Sequence, residues 1–179
     1  VLINVGDINE APSLSSALSS TSFSEDSALG TIIATSSVAD PESNTITYSL
    51  TGTGSEYFSV DENGNVTLKD SLDFETYSNY EITLVASDGE LTTSSVITFD
   101  ISDVDEAPSL SSTLKSESFE ESIAVGTALA TISSVDPESQ TITYSLSGTG
   151  SENFEIDSEG NITSKVTFDY ETETSYTFN

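Results

Sequence analysis

Across 179 residues the chain sets 31 Asp and Glu against three Lys, a formal net charge of −28, and it has no His, Cys, Met or Trp. Without His or Cys there is no Ser-His-Asp triad, no thiolate nucleophile, no disulfide and no nitrogen- or sulfur-ligated zinc. Lys69, Lys115 and Lys165 form no cluster that could bind phosphate, so neither nucleic acid nor direct contact with an anionic membrane is expected.

Val, Ile, Leu and Phe make up about a quarter of the chain, above the ~20% level at which highly charged chains stay unfolded. In chain order, strands are predicted near residues 21–24, 30–37 and 45–50, where Ile46, Tyr48 and Leu50 alternate with Thr47 and Ser49. Strands near 57–60 and 65–69 flank Asp61-Glu62-Asn63-Gly64-Asn65, and Asn-Gly is a strong hairpin signal. This segment lacks the spacing and terminal Glu of an EF-hand loop. Longer strands follow near 79–87 and 92–102, with Tyr80, Ile82, Leu84 and Ala86, then Ile97, Phe99 and Ile101, on one face. Ser and Thr, about a third of the chain, fill the outward positions. Nothing has helical period, and no apolar run reaches the roughly 18 residues needed to cross a bilayer. Seven short strands in about 96 residues predict an all-β, two-sheet sandwich.

The unit is repeated. Asp7-Ile8-Asn9-Glu10-Ala11-Pro12 recurs as Asp103-Val104-Asp105-Glu106-Ala107-Pro108, and about 44 of the 77 positions from Asp7 to Thr83 are identical at a shift of 96 without a gap. Residues 1–10 match the tail strand and linker of a preceding repeat, residues 11–106 form a complete unit, and residues 107–179 form a second that stops short of its last strand. A chain that starts at Val1 and holds no Met is expected to be an interior piece of a longer one.

The carboxylates gather as i,i+2 pairs at element ends: Asp40/Glu42, Asp73/Glu75, Asp103/Asp105 with Glu106, Asp136/Glu138 and Asp169/Glu171. Like charges packed this closely repel unless a cation neutralises them. Oxygen donors alone select Ca²⁺ or Mg²⁺, and Ca²⁺ better tolerates six to eight irregular, carboxylate-rich ligands. Asn65-Val66-Thr67 and Asn161-Ile162-Thr163 fit the glycosylation sequon, both on the hairpin.

These motifs resemble those of cadherin repeats. The two Asp-x-(Asn/Asp)-Glu-Ala-Pro segments are similar to the DxNDNAP linker in a form one residue shorter, with Asp105 in place of the usual Asn. Phe23-Ser24-Glu25 resembles the first-strand glutamate motif, and Asp40-Pro41-Glu42 followed by Ile46-Thr47-Tyr48-Ser49-Leu50 resembles DxD…IxYSI. Leu72-Asp73-Phe74-Glu75 matches LDxE, and Ala86-Ser87-Asp88 matches AxD. The resemblance spans the whole chain and implies tandem seven-stranded Greek-key, Ig-like sandwiches, the second truncated. It also implies Ca²⁺, usually three ions, at each junction between repeats. One junction would take Glu25, Asp73 and Glu75 from the first unit, Asp103, Asp105 and Glu106 from the linker, and Asp136 and Glu138 from the second. Asp7, Asn9, Glu10, Asp40, Glu42 and Asp88 would form half of an earlier junction; Glu121, Asp169 and Glu171 would form half of a later one. The second unit's AxD aspartate falls beyond Asn179, and Gln140 stands where Asn44 does in the first.

The function so implied is that of a calcium-rigidified extracellular spacer in a cadherin-like adhesin, expected to be bacterial, secreted or at the cell surface, and not an enzyme. Its partners would be neighbouring repeats, with any cell-surface or glycan ligand bound through other domains. The rival readings are a carbohydrate- or protein-binding sandwich module and an accessory domain of a polysaccharide-degrading enzyme. Lack of Trp weighs against sugar stacking and excludes adhesion by exchange of a first-strand Trp.

Overall fold

Period-two alternation becomes eight strands between Ser13 and Ser102, in the first of two compact units, Val1–Val104 and Asp105–Asn179. The computed structural model describes residues 1–177 and 179. In the first unit the strands are β1 (Ser13–Leu18), β2 (Ser22–Ser24), β3 (Ile32–Ala39), β4 (Thr47–Thr51), β5 (Phe58–Val60), β6 (Val66–Leu68), β7 (Asn79–Ser87) and β8 (Thr92–Ser102). They form two four-stranded sheets, β1-β3-β6-β5 and β2-β8-β7-β4. The chain changes sheets between β4 and β5 and returns between β6 and β7, as a Greek-key sandwich requires.

The expected seven strands are eight because the N-terminal stretch supplies one strand to each sheet. β1 runs antiparallel to β3, whereas β2 lies parallel to β8 with Phe23 opposite Ile101. Sequence pattern hides β1, since its inward positions are Leu14, Ser16 and Leu18 and the middle one is polar. The Ser16 hydroxyl is instead satisfied by Ser95 at 2.7 Å. No strand forms before Ser13: the tail segment 1–10 has no neighbour with which to close a ladder, and Val1, Leu2, Ile3 and Val5 stay exposed.

The core is the set of inward residues from both sheets: Ile33, Phe58, Val66 and Leu68 against Phe23, Tyr80, Ile82, Leu84, Ile97, Phe99 and Ile101. Each side chain of this size contributes roughly 1.5–3 kcal/mol when buried. The rings pack edge to face, Phe58 on Phe99 at 5.6 Å and on Tyr80 at 5.1 Å, while Tyr80 stacks on Phe99 at 5.6 Å. Burial pushes the Tyr80 phenol up to about 12, so it is neutral throughout the working range.

The β5–β6 hairpin is closed by its own acid. Asp61 Oδ1 accepts the backbone N–H groups of Asn63 and Asn65 at 2.9 and 2.8 Å, and Oδ2 accepts the Asn65 amide at 2.8 Å. Gly64 sits at φ +78, where a Cβ would also collide with Ser36 and Tyr48. Hydrogen bonds from the Asn65 side chain, then from backbone N–H groups, hold Asp61 below the usual carboxylate range. A group lowered on folding stabilises above its unfolded pKa and ceases to do so as pH falls through its folded one. Asp61→Ala should therefore lower the melting temperature at neutral pH, with the gap from wild type closing below the ordinary Asp range. A pH series of thermal melts checks this; a gap that persists unchanged at acid pH would reject the carboxylate as its source.

In the second unit, β9 (Ser109–Leu114), β10 (Ala128–Val135), β11 (Phe154–Ile156) and β12 (Asn161–Ser164) form one sheet in the order β11-β12-β10-β9. It corresponds to the β1-containing sheet of the first unit. Among the described residues no strand of the other sheet forms. In the first unit β2, β4 and β7 pair with β8 or with one another. The core shrinks accordingly to Leu129, Ala130, Phe154 and Ile162. The hairpin latch is kept, with Asp157 accepting from Glu159 and Asn161.

Candidate metal centres

Topology decides which acids meet. In the first unit β2 and β8 end, and β7 begins, at one end of the sandwich; this gathers Glu25, Asp73, Glu75 and Asp103. At the other end β1 begins while β3 and β7 finish, which gathers Asp7, Asn9, Glu10, Asp40, Glu42 and Asp88. Residues scattered over about 80 positions of sequence thus fall into two groups.

At the first end, one carboxylate oxygen each of Glu25, Asp73 and Glu75 lie within 4.8 Å of one another, and Glu75 and Asp103 are equally close. Glu25 is the anchor. Only 6% exposed, it accepts the Phe74 N–H at 2.8 Å on Oε2 and the Val104 N–H at 2.6 Å on Oε1. One buried side chain therefore ties the β6–β7 turn to the end of β8. Asp73 accepts the Thr76 N–H at 2.9 Å and so opens a turn that presents Glu75.

At the other end Asp7, Glu10 and Glu42 bring oxygens within 4.8 Å. The Glu10 carboxyl is raised above the usual range, first by a hydrogen bond with Glu42 and then by the charges of Glu42, Asp7 and Asp40. The Asn9 amide donates to Asp88 at 2.9 Å and its carbonyl accepts the Asn44 amide at 3.0 Å. Asp88 is held low by the backbone N–H groups of Leu91 and Glu90. Asp40 Oδ1 accepts the Asn44 N–H at 2.9 Å, whereas Oδ2 is buried with no donor. Ser43, at φ +61, bends the Asp40–Glu42 turn into the left-handed region that non-glycine residues seldom occupy.

The second unit repeats both patterns. Glu121, Asp169 and Glu171 lie within 4.8 Å, and the Tyr170 N–H donates to Glu121 at 2.9 Å, as Phe74 does to Glu25. Glu121, unlike Glu25, is exposed. At the other end Gln140 donates its backbone N–H to Asp136 at 2.8 Å and its side-chain amide to Asp105. The neighbouring Glu106 is the first cause that holds Glu138 low, and both Glu138 carboxylate oxygens are buried without a hydrogen-bond donor. Ser139, at φ +58, repeats the left-handed turn.

Every charged ligand candidate here is a carboxylate, adjacent acids crowd one another, and buried oxygens of Asp40 and Glu138 lack a donor. This donor set fits a hard divalent cation of the Ca²⁺ kind. The sequence pattern locates the acids but misses Asn44 and Gln140 as amide donors to the linker; their place four residues after Asp40 and Asp136 is the available signal.

A Greek-key sandwich with oxygen-only donor groups at its two ends is a cadherin-like repeat of the Ig type. The cadherin domain family model matches residues 19–109, half of the chain, and the chain belongs to that family. It is 36% identical over 173 residues to cadherin-related family member 1 of Gallus gallus, covering 91% of this chain and 20% of that protein. It is 30% identical to protocadherin Fat 1 of Homo sapiens, covering 97% and 4%. The chain thus spans a fifth or less of these relatives. Among solved structures it is similar to human protocadherin-24 EC1-2 (26% identity, TM-score 0.54, 84% of this chain and 76% of that one). It is also similar to protocadherin gamma B2 domains 1–5 (26%, 0.55, 94% and 35%). These relatives are animal proteins, so the bacterial source expected from the sequence is not supported. Cadherin domains are adhesion-related repeats, not enzymes, and calcium binding and an extracellular setting are typical of them. Among the described residues no helix is long and apolar enough to cross a membrane.

Proposed function

We propose that the chain is a calcium-rigidified spacer, a stretch of extracellular cadherin repeats within a longer adhesion protein. The observation that carries this reading is the recurrence, at an offset of 96 residues, of the same acidic triad around Glu25 and around Glu121. Glu25, Asp73, Glu75 and Asp103 of one repeat, with Asp105, Glu106, Asp136 and Glu138 of the next, would hold Ca²⁺ at their junction. Asp7, Asn9, Glu10, Asp40, Glu42 and Asp88 would serve the preceding junction, and Glu121, Asp169 and Glu171 the following one. Without the ion these carboxylates repel one another and compete for protons; with it they converge and the linker stiffens. Ca²⁺ supplies the positive charge that the chain lacks. Neighbouring repeats are the direct partners, and any surface or glycan ligand is bound elsewhere in the longer protein, away from the membrane.

A glycan-binding module is not favoured. Phe119 and Tyr170 are the exposed large aromatics among the described residues, both in the second unit, and no platform of rings faces solvent in the first. Small-angle scattering and thermal melts of the 179-residue chain in Ca²⁺, Mg²⁺ and chelator test the proposal. Ca²⁺ is expected to raise the melting temperature and fix the maximum dimension, with Mg²⁺ less effective. Equal melting and equal dimension in Ca²⁺ and chelator would reject it.

A further inference from the structure

Two sequons take no part in the metal centres: Asn65-Val66-Thr67 and Asn161-Ile162-Thr163, with no other Asn in the chain followed two places on by Ser or Thr. The fold gives both the same setting. Val66 and Ile162 point into their cores at 0% and 4% exposure, so by strand alternation Asn65 with Thr67, and Asn161 with Thr163, point outward. Each Asn amide gives one hydrogen to the hairpin acid, Asn65 Nδ2 to Asp61 at 2.8 Å and Asn161 Nδ2 to Asp157 at 3.0 Å. A carboxamide nitrogen carries two hydrogens, so one remains on each for substitution. The sheet face around these asparagines is uncharged, in a chain of net charge −28. Outward from the β1–β3 pair stand Ser13, Ser15, Ala17, Thr35, Ser37 and Ala39, all small and exposed. The β9–β10 pair repeats this, from Ser109 with Val135 to Thr113 with Thr131, and Glu155 on the edge strand β11 is the exception. The outward face of the other sheet in the first unit, by contrast, carries Glu81 and Asp100. Ile32, 49% exposed, stands opposite Thr67 on the uncharged face.

We propose that Asn65 and Asn161 carry N-linked glycans, and that each glycan lies over the uncharged sheet face of its own repeat. The modification is transfer of an oligosaccharide from a lipid pyrophosphate donor. The amide Nδ2 bonds to the anomeric carbon, the bond from that carbon to the pyrophosphate oxygen breaks, the lipid pyrophosphate leaves and the amide gives up one proton. The N–H that stays on the nitrogen keeps the bond to Asp61 or Asp157, which fixes the first sugar at the hairpin. Bulky and strongly hydrated, the glycan gives this face the solubility that its own side chains lack in charge, and its first ring is within reach of Ile32. Small neighbours leave the space for it. Once the hairpin has closed, Val66 is in the core and the Thr67 and Ser59 hydroxyls are 3.0 Å apart, so the sugar is added before the repeat folds. The proposal rests on the extracellular setting of the spacer reading but not on calcium.

The test secretes the 179-residue chain from animal cells behind a removable leader and treats it with an amidase that releases N-glycans, converting each occupied Asn to Asp. Peptide mass spectrometry is expected to find Asn65 and Asn161 both converted. Thr67→Ala should lose the glycan at Asn65 alone, and Thr67→Ser, which keeps the sequon hydroxyl, should retain it. The cover is read by alkylation. The chain has no Cys, so Ser37→Cys and, on the other sheet, Glu81→Cys each introduce a single thiol. Releasing the glycans should speed alkylation several-fold in the Ser37→Cys chain and leave the Glu81→Cys chain unchanged. A secreted chain with Asn65 and Asn161 unmodified would overturn the site, as would sugar mass that stays on Ser or Thr after the amidase. Equal alkylation before and after release would overturn the cover. The Ca²⁺-dependent melt is unmoved by any of these outcomes, so failure here is distinct from failure of the spacer reading.

Discussion

Glu25→Ala is expected to lower the melting temperature of the first unit by roughly 10–20 °C even in chelator. The carboxylate is buried and accepts two backbone N–H groups, from Phe74 and Val104. Its removal orphans both, at about 1–3 kcal/mol for each unsatisfied donor, and about 1 kcal/mol moves a domain of this size by some 4–8 °C. The same substitution should abolish most of the additional gain from Ca²⁺, which by linkage is about 2.7 kcal/mol when the free ion is at 100 times its dissociation constant. Asp73→Ala and Glu75→Ala separate the two roles. Both residues are exposed; Glu75→Ala should melt near wild type in chelator, Asp73→Ala a little below it because the Thr76 N–H loses its acceptor, and both should lose chiefly the Ca²⁺-dependent increment. Scanning fluorimetry or calorimetry of the three variants with and without Ca²⁺ makes the comparison. If Glu25→Ala melts like wild type in chelator, the anchoring role is wrong; if Glu75→Ala keeps the full Ca²⁺ shift, the ligand role is wrong.

Phe99→Ala should be still more damaging. Phe99 is 2% exposed and lies 5.3–5.6 Å from the rings of Phe23, Phe58 and Tyr80, joining both sheets. Truncating a buried Phe costs about 3–5 kcal/mol, a large part of the 5–15 kcal/mol on which a domain depends. A denaturant melt should show the first unit's midpoint collapse while any transition of the second unit is unmoved. Phe154→Ala, in a core of four buried residues, should cost less because fewer buried side chains surround it. Equal losses at the two positions would contradict the difference between the two cores.

The strands carried by alternating large residues were legible from the sequence: β7 and β8 fall at the predicted residues, and β5 and β6 flank the Asn-Gly turn as expected. β1 was not legible, because a polar Ser16 at its inward centre breaks the apolar alternation and its stability comes from pairing with β3. Edges elsewhere moved by one or two residues, β3 running from Ile32 to Ala39 rather than 30–37, since ladder pairing and not hydropathy ends a strand. For the candidate centres the spacing of acids showed only local pairs such as Asp40/Glu42 and Asp73/Glu75; it was the resemblance to cadherin motifs that grouped Glu25 with Asp73 and Glu75, and Asp7 and Glu10 with Glu42, whose oxygens lie within 4.8 Å of one another in each trio. What spacing could not give was the degree of burial that makes Glu25 an anchor and Glu121 a surface residue. Nor could it show that Glu42 raises the Glu10 carboxyl while Glu106 lowers that of Glu138, which depends on distances that only the fold sets.

The left-handed serines bear on which substitutions these turns accept. Ser43 and Ser139 hold the same left-handed conformation at equivalent positions, beside Asp40 and Glu42 and beside Asp136 and Glu138. A side chain in that region costs stability that glycine does not pay. Glycine at either position should therefore keep the turn and relieve its strain, whereas proline, whose φ is fixed at about −65°, should unmake it and part the two acids. On the spacer reading, the backbone of a single serine then decides whether a repeat can present its acids to the preceding junction.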